Sequence, residues 1–164
     1  MLFRSDWAGR RSDPAAVRVT VPEPPKPGPV PPKPEVRLGS LKPVSAAMSW
    51  GSLQIGKAVG GGPLTVAGKV YEDGLGVHAK SEVVYDLKPE WKRFVAVAGP
   101  DGGKKDDPRT TVRFVVAAEV GGRREILAES PVLTHADPAS WNFDVALPKG
   151  AKRLRLIVDD GGDD

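Results

Sequence analysis

The sequence predicts an all-β sandwich over residues 35–164, preceded by a basic, extended, proline-rich tail over residues 1–34. Three observations carry that expectation. Apolar and polar residues alternate with a period of two in run after run. Glycine and proline punctuate these runs at a spacing of about ten residues, as turns between short strands do. No window of the length of an ordinary helix shows the 3.6-residue period of an amphipathic one.

The strands can be taken in order. Leu64–Ala67 and Glu82–Leu87 are short apolar runs bounded by glycine and proline. Phe94, Ala96 and Ala98 alternate with Arg93, Val95 and Val97. Val112, Phe114, Val116 and Ala118 form one face of the next run, and Gly121-Gly122 marks a hairpin turn after it, since glycine tolerates the positive φ of tight turns. Trp141, Phe143, Val145 and Leu147 alternate with Asn142, Asp144 and Ala146. Leu154, Leu156 and Val158 alternate with Arg153, Arg155 and Ile157. Between the strands, residues 99–108 are rich in Gly, Asp, Lys and Pro and predict an exposed loop.

The tail is different in kind. Eight prolines fall between Pro22 and Pro34. Proline fixes φ and removes a backbone donor, so this stretch predicts extended polyproline II and a stiff linker. Its PxxP spacings, Pro22–Pro25 and Pro29–Pro32, suit an SH3-type groove, although such a composition produces them unaided. Upstream, Val17, Val19 and Val21 alternate with Arg18 and Thr20, the pattern of a short strand.

Charge and composition exclude several functions. The formal net charge of +3 lies wholly in residues 1–34, with six Lys/Arg against three Asp/Glu, whereas residues 35–164 hold eighteen of each. The sandwich therefore has no basic excess for phosphates, which argues against nucleic acid as a partner. The absence of cysteine excludes disulfides, thiolate metal sites and cysteine nucleophiles. No run approaches the roughly 18 apolar residues of a membrane-spanning helix, so no membrane insertion is expected. Met1–Trp7 lacks the apolar stretch of a signal peptide, so either the protein stays inside the cell or its true N-terminus lies upstream of Met1.

Few motifs carry chemistry. Gly51–Lys57 fits the first seven positions of a phosphate-binding loop. Ala58 then stands where magnesium would need Ser or Thr, and the following Gly-rich stretch cannot open a helix. The two histidines, His78 and His135, lie far apart in sequence; His135 and Asp137 form a loop pair with no third metal ligand nearby. No nucleophile elbow is visible, and no spacing suggests a carboxylate pair, so no catalytic residue is expected. The acidic end, with Asp159 and Asp160 on a glycine turn, offers the hard oxygens that calcium prefers, or is a solvated acidic terminus.

The aromatic residues are more informative. Trp141 begins a core-facing alternation, and Trp91 begins a run and could face either way. Trp50 lies between Ser49 and Gly51 at a turn, where partial exposure is expected. An exposed ring beside hydrogen-bonding groups is a means of holding sugars, by packing on their C–H faces. Gly74 and Gly76 allow a close backbone approach or a bulge, and deliver His78 beside Ala79 and Ser81, with Tyr71 and Glu72 just before the turn. There His78 either pairs with a ligand hydroxyl or bonds a nearby carbonyl and holds the turn; the residues alone favour neither.

This segment carries a resemblance. Pro63–Tyr71, then Gly74-Leu-Gly-Val-His-Ala79, then Ser81-Glu-Val-Val-Tyr-Asp-Leu87, resembles the core signature of the NPCBM family of carbohydrate-binding modules. Val44–Gly51, Phe94–Gly99, Thr111–Val120 and Leu154–Asp163 resemble the family's other strands in the same order. The resemblance implies a galactose-binding-like β-sandwich of jelly-roll type, non-catalytic, binding galactose-containing glycans and holding structural calcium. It implies attachment to a parent glycoside hydrolase or other secreted protein, and hence an extracellular or periplasmic location. Carried onto this chain, it makes Trp50, Tyr71, Glu72 and His78 the expected carbohydrate-binding residues, and Asp159 and Asp160 the expected metal ligands. Relatives continue past the Asp-Gly-Gly-Asp turn into a further acidic-aromatic strand, so a sandwich lacking its final strand is expected. The alternative is a structural or protein–protein interaction domain that uses the sandwich surface or the polyproline tail.

Overall fold

The computed structural model describes residue 23 and residues 25–104, 110–136 and 138–162. The expected strand at 17–21 lies outside them, as do most of residues 1–24.

Eleven strands follow one another: β1 (Ser45–Met48), β2 (Gln54–Ile55), β3 (Leu64–Val66), β4 (Lys69–Tyr71), β5 (Leu75–Gly76), β6 (Ser81–Asp86), β7 (Arg93–Ala98), β8 (Arg113–Val120), β9 (Arg123–Glu129), β10 (Trp141–Ala146) and β11 (Ala151–Asp159). Helical structure among the described residues is confined to two single 3-10 turns, Leu38–Ser40 and Gly102–Lys104. No helix among the described residues is long and apolar enough to cross a membrane.

Five strands form one antiparallel layer in the order β1-β6-β11-β8-β9. β7 and β10 pair antiparallel in the facing layer. β2 pairs with β5 and β3 with β4 in two small antiparallel ribbons. The period-two alternation decides which side of each strand faces inward. In β11, Leu154 sits opposite Tyr85 of β6 and Ala118 of β8, and Leu156 sits opposite Val83 and Val116. Val116, Leu154, Phe143 and Val145 are buried as one cluster, with Phe94, Ala96, Ala98 and Trp141 packed against it. Trp141 therefore belongs to the core as the alternation predicts. Trp91 instead lies in the turn before β7, its backbone N–H donating to the Lys88 carbonyl at 3.1 Å. Apolar burial of this kind contributes on the order of 25 cal/mol per Å².

Beside the core lies a cavity of about 170 Å³, lined among others by Leu64, Tyr71, Val83, Phe94 and Phe114. Of the loop expected at 99–108, residues 99–104 are among those described, and they hold regular contacts. Asp101 bridges to Val66, and Gly102–Lys104 is one of the two 3-10 turns.

The outward face of the five-stranded layer is charged and internally paired. Arg155 lies 3.2 Å from both Glu82 and Glu119. Arg153 reaches Glu119 at 3.7 Å and Asp86 at 3.3 Å, and Arg124 also reaches Glu82. On the same face Val84 and Ala117, which flank Arg155 in the register, and Val115 are buried. Ile126 stands at the margin of this face, 64% exposed.

Candidate functional site

Pairing of β1 with β6 builds the site. Met48 lies opposite Ser81, and the ladder runs one residue further, with the Ser49 N–H donating to the Lys80 carbonyl at 2.9 Å. The chain segments beyond that last rung are therefore brought together. One is Trp50-Gly51; the other is His78-Ala79, which leads into β6. Gly51 adopts φ +74°, a left-handed value that glycine accepts without strain, and this turns the chain away after Trp50. On the other segment, a Cβ at Gly76 would collide with the Lys57 carbonyl oxygen. Only glycine lets β5 pass so close to that backbone, as the Gly74/Gly76 pattern predicts. The peptide bond between Ala79 and Lys80 is cis.

The result is a small exposed aromatic corner. Trp50 is 60% exposed. Its ring meets the His78 ring edge-on, with centroids 5.5 Å apart and planes at 62°. That spacing falls within the range where an edge-to-face pair is attractive. Ser49 lies beneath. Its hydroxyl donates to the Ala79 carbonyl at 2.6 Å and stands 3.1 Å from His78 Nδ1. His78 Nδ1 also faces the Ala79 carbonyl. The structure thus shows the turn-holding role for His78 through one ring nitrogen, and Nε2 has no partner among the described residues.

The other two expected sugar contacts stand apart. Tyr71 ends β4 opposite Leu64 and lines the interior cavity, with Lys69 Nζ 5.1 Å from its ring centroid. Glu72 is exposed, and its backbone carbonyl lies close to Gly56. Among the described residues, no hydrogen bond, ion pair or ring contact joins either to Trp50 or His78.

Lys80 ties this corner to the end of β11, pairing with Asp160 at 2.9 Å. The other Asp160 carboxylate oxygen accepts the Gly162 N–H at 3.2 Å, and the Asp160 carbonyl accepts from the Thr111 hydroxyl. Asp159 accepts from Arg113 at 2.8 and 3.0 Å, and from the Gly161 N–H at 3.0 Å. The hydrogen bond and charge of Asp159 hold the Arg113 guanidinium above its ordinary pKa. Both carboxylates expected to bind calcium are therefore turned to cations of this chain. No group of three or more His, Cys, Asp or Glu side chains suited to a metal occurs among the described residues. As placed, these residues do not fit a calcium ion, which takes six to eight oxygens. His135 is half-buried with Nε2 unpaired among the described residues, and Asp137 lies outside them.

Sequence reasoning missed Ser49 and Lys80. Ser49 directly precedes Trp50, but its partner Ala79 is thirty residues away, and only the β1–β6 register shows that they meet.

A family model described as NPCBM/NEW2 domain matches residues 34–164. No curated protein matches the chain. Among solved structures, the chain is similar to CBM51 from Clostridium perfringens GH95 in complex with methyl-galactose. The two are 28% identical with a TM-score of 0.68, over 79% of this chain and 89% of that one. It is also similar to CBM51-2 in complex with GlcNAc, with INT domains, from C. perfringens ZmpB. There the identity is 26% and the TM-score 0.68, over 77% of this chain and 27% of that one. A third structure, the M60 catalytic domain with CBM51-1 and CBM51-2 from ZmpB, is 29% identical with a TM-score of 0.68, over 78% of this chain and 13% of that one. The chain thus spans about a quarter or less of the ZmpB chains that it matches.

Proposed function

Because the chain belongs to the NPCBM/NEW2 family, whose domain is a non-catalytic carbohydrate-binding module, we propose that it binds galactose-containing glycans at the Trp50–His78 corner. The observation that carries this reading is the exposed Trp50 ring set against a histidine whose outer nitrogen is unpaired. A pyranose has an apolar C–H face and a rim of hydroxyls. The indole offers a flat apolar surface for the first, and His78 offers a polar atom for the second. Methyl-galactose in the similar GH95 module supports galactose as the sugar, and GlcNAc in the ZmpB module makes it the natural competitor. Few groups converge on the corner, so affinity is weak. Tyr71, which lines the cavity beside the core, and Glu72 lie outside the first contacts of this reading.

The chain acts as an appended module, holding a neighbouring catalytic domain of a secreted enzyme near its glycan; similar modules occur beside catalytic domains. The proline-rich segment serves as its spacer.

Calorimetric titration with methyl galactoside and with GlcNAc tests this reading. Saturable binding of the galactoside, lost in Trp50→Ala with the fold intact, is the expected result. A folded protein that binds neither sugar contradicts it.

A further inference from the structure

The hydrogen bonds beneath His78 determine which ring nitrogen carries the proton. Nδ1 faces the Ala79 carbonyl oxygen, which only accepts. It also faces Ser49 Oγ at 3.1 Å. The Ser49 hydroxyl has a single proton, and at 2.6 Å that proton is directed to the same Ala79 carbonyl. From both neighbours, therefore, Nδ1 meets lone pairs. Such a position is favourable only for a ring nitrogen bearing hydrogen. In a neutral imidazole the other nitrogen is then bare. Trp50 packs edge-on against the ring and flanks it on the exposed side.

We infer that His78 is a specificity-determining residue whose Nε2 is fixed as a hydrogen-bond acceptor, so that the corner selects a neutral sugar bearing a free hydroxyl donor at that point. Ser49 and the Ala79 carbonyl are the positioning groups. The inference rests on the glycan-binding reading and names the chemical class of the ligand. A carboxylate or sulfate presents only lone pairs to Nε2 and is repelled. An ether or acetylated oxygen at that point likewise has no hydrogen to give. A ligand hydroxyl donates to Nε2, leaving its own lone pairs to water.

Two measurements test this, both on the full chain at a pH of about 8. The first is nitrogen-15 long-range correlation of the His78 ring without ligand. The expected pattern has hydrogen on Nδ1 and a bare Nε2; hydrogen on Nε2 overturns the inference. The second uses a panel of methyl galactosides with one hydroxyl at a time replaced by hydrogen or by fluorine, which accepts but cannot donate. At one ring position both replacements should weaken binding equally, by about fivefold, and the penalty should vanish in His78→Ala. Fluorine retaining the affinity that hydrogen loses at that position would show Nε2 donating and overturn the inference. If no galactoside binds, the galactoside reading falls, while the ring-nitrogen spectrum still decides the tautomer.

Discussion

The outward face of the five-stranded layer and the Trp50–His78 corner use polar groups in opposite ways. On the outward face, Arg155 sits between Glu82 and Glu119, and Arg153 and Arg124 extend the network, so opposite charges pair within the sheet. At the corner an aromatic ring stands exposed, and one nitrogen of its neighbour is left without a partner among the described residues. Exposed charge alone is therefore a poor guide to where a ligand sits. Groups already matched within the sheet must give up a partner to accept a ligand, whereas the corner gives up only water.

Substitution at the corner should break this contrast most sharply. Trp50→Ala removes the apolar platform and is expected to weaken galactoside binding by tenfold or more, as loss of a stacked ring does. Because Trp50 is exposed, thermal unfolding should shift by only a few degrees. Titration calorimetry and a melting curve on the same sample check both statements. On the outward face the pattern reverses. Arg155→Met removes the guanidinium that bridges Glu82 and Glu119 and leaves them only Arg124 and Arg153. It should lower stability by on the order of 1 kcal/mol in urea unfolding and leave sugar affinity unchanged.

Metal removal should do less. Arg113 and Lys80 engage Asp159 and Asp160, so dialysis against a chelator is expected to leave both the melting temperature and the binding isotherm where they were. A rise in melting temperature on adding calcium to the dialysed protein, absent from Asp160→Asn, would show that this carboxylate exchanges its cation for the ion.

The smallest expected effect is one of pH. The hydrogen bond from Arg93 holds the Asp144 carboxyl below its ordinary value, with charge attraction adding to it and desolvation opposing. A carboxyl depressed on folding contributes stability above its unfolded pKa and loses it as pH falls through the folded one. Asp144→Asn should therefore be slightly less stable than the parent at neutral pH, and the difference should shrink as pH falls through the lower carboxylate range, as urea unfolding at a series of pH values would show.

The long strands were legible because their inward positions are regularly apolar, even in β8, where Val115 and Ala117 on the outward side are buried too. β7, β8, β10 and β11 all place apolar residues at every second position, and Phe143 and Leu154 fall in the core as expected. β2 and β5, of two residues each, are too short to carry any period and owe their form to the close approach at Gly76. Trp50 and His78 were legible as separate candidates, one from its turn and one from its glycines. Their meeting was not, because it depends on the pairing of β1 with β6. Tyr71 and Glu72 were grouped with them through nearness in sequence, yet β4 directs Tyr71 toward the interior cavity. Arg155 looked like an ordinary polar position in an alternating strand. Its part-buried state follows from Glu82 and Glu119, on strands distant in sequence.

The most direct test of a sugar site at this corner is a nuclear magnetic resonance titration with methyl galactoside that follows the Trp50 indole and the ring nitrogens of His78. Saturable shifts concentrated on Trp50, His78 and Ser49, with the outward-face residues unmoved, are the predicted result. Saturable shifts centred on Arg155 and Ile126, or none at Trp50 while the sugar binds, would contradict it.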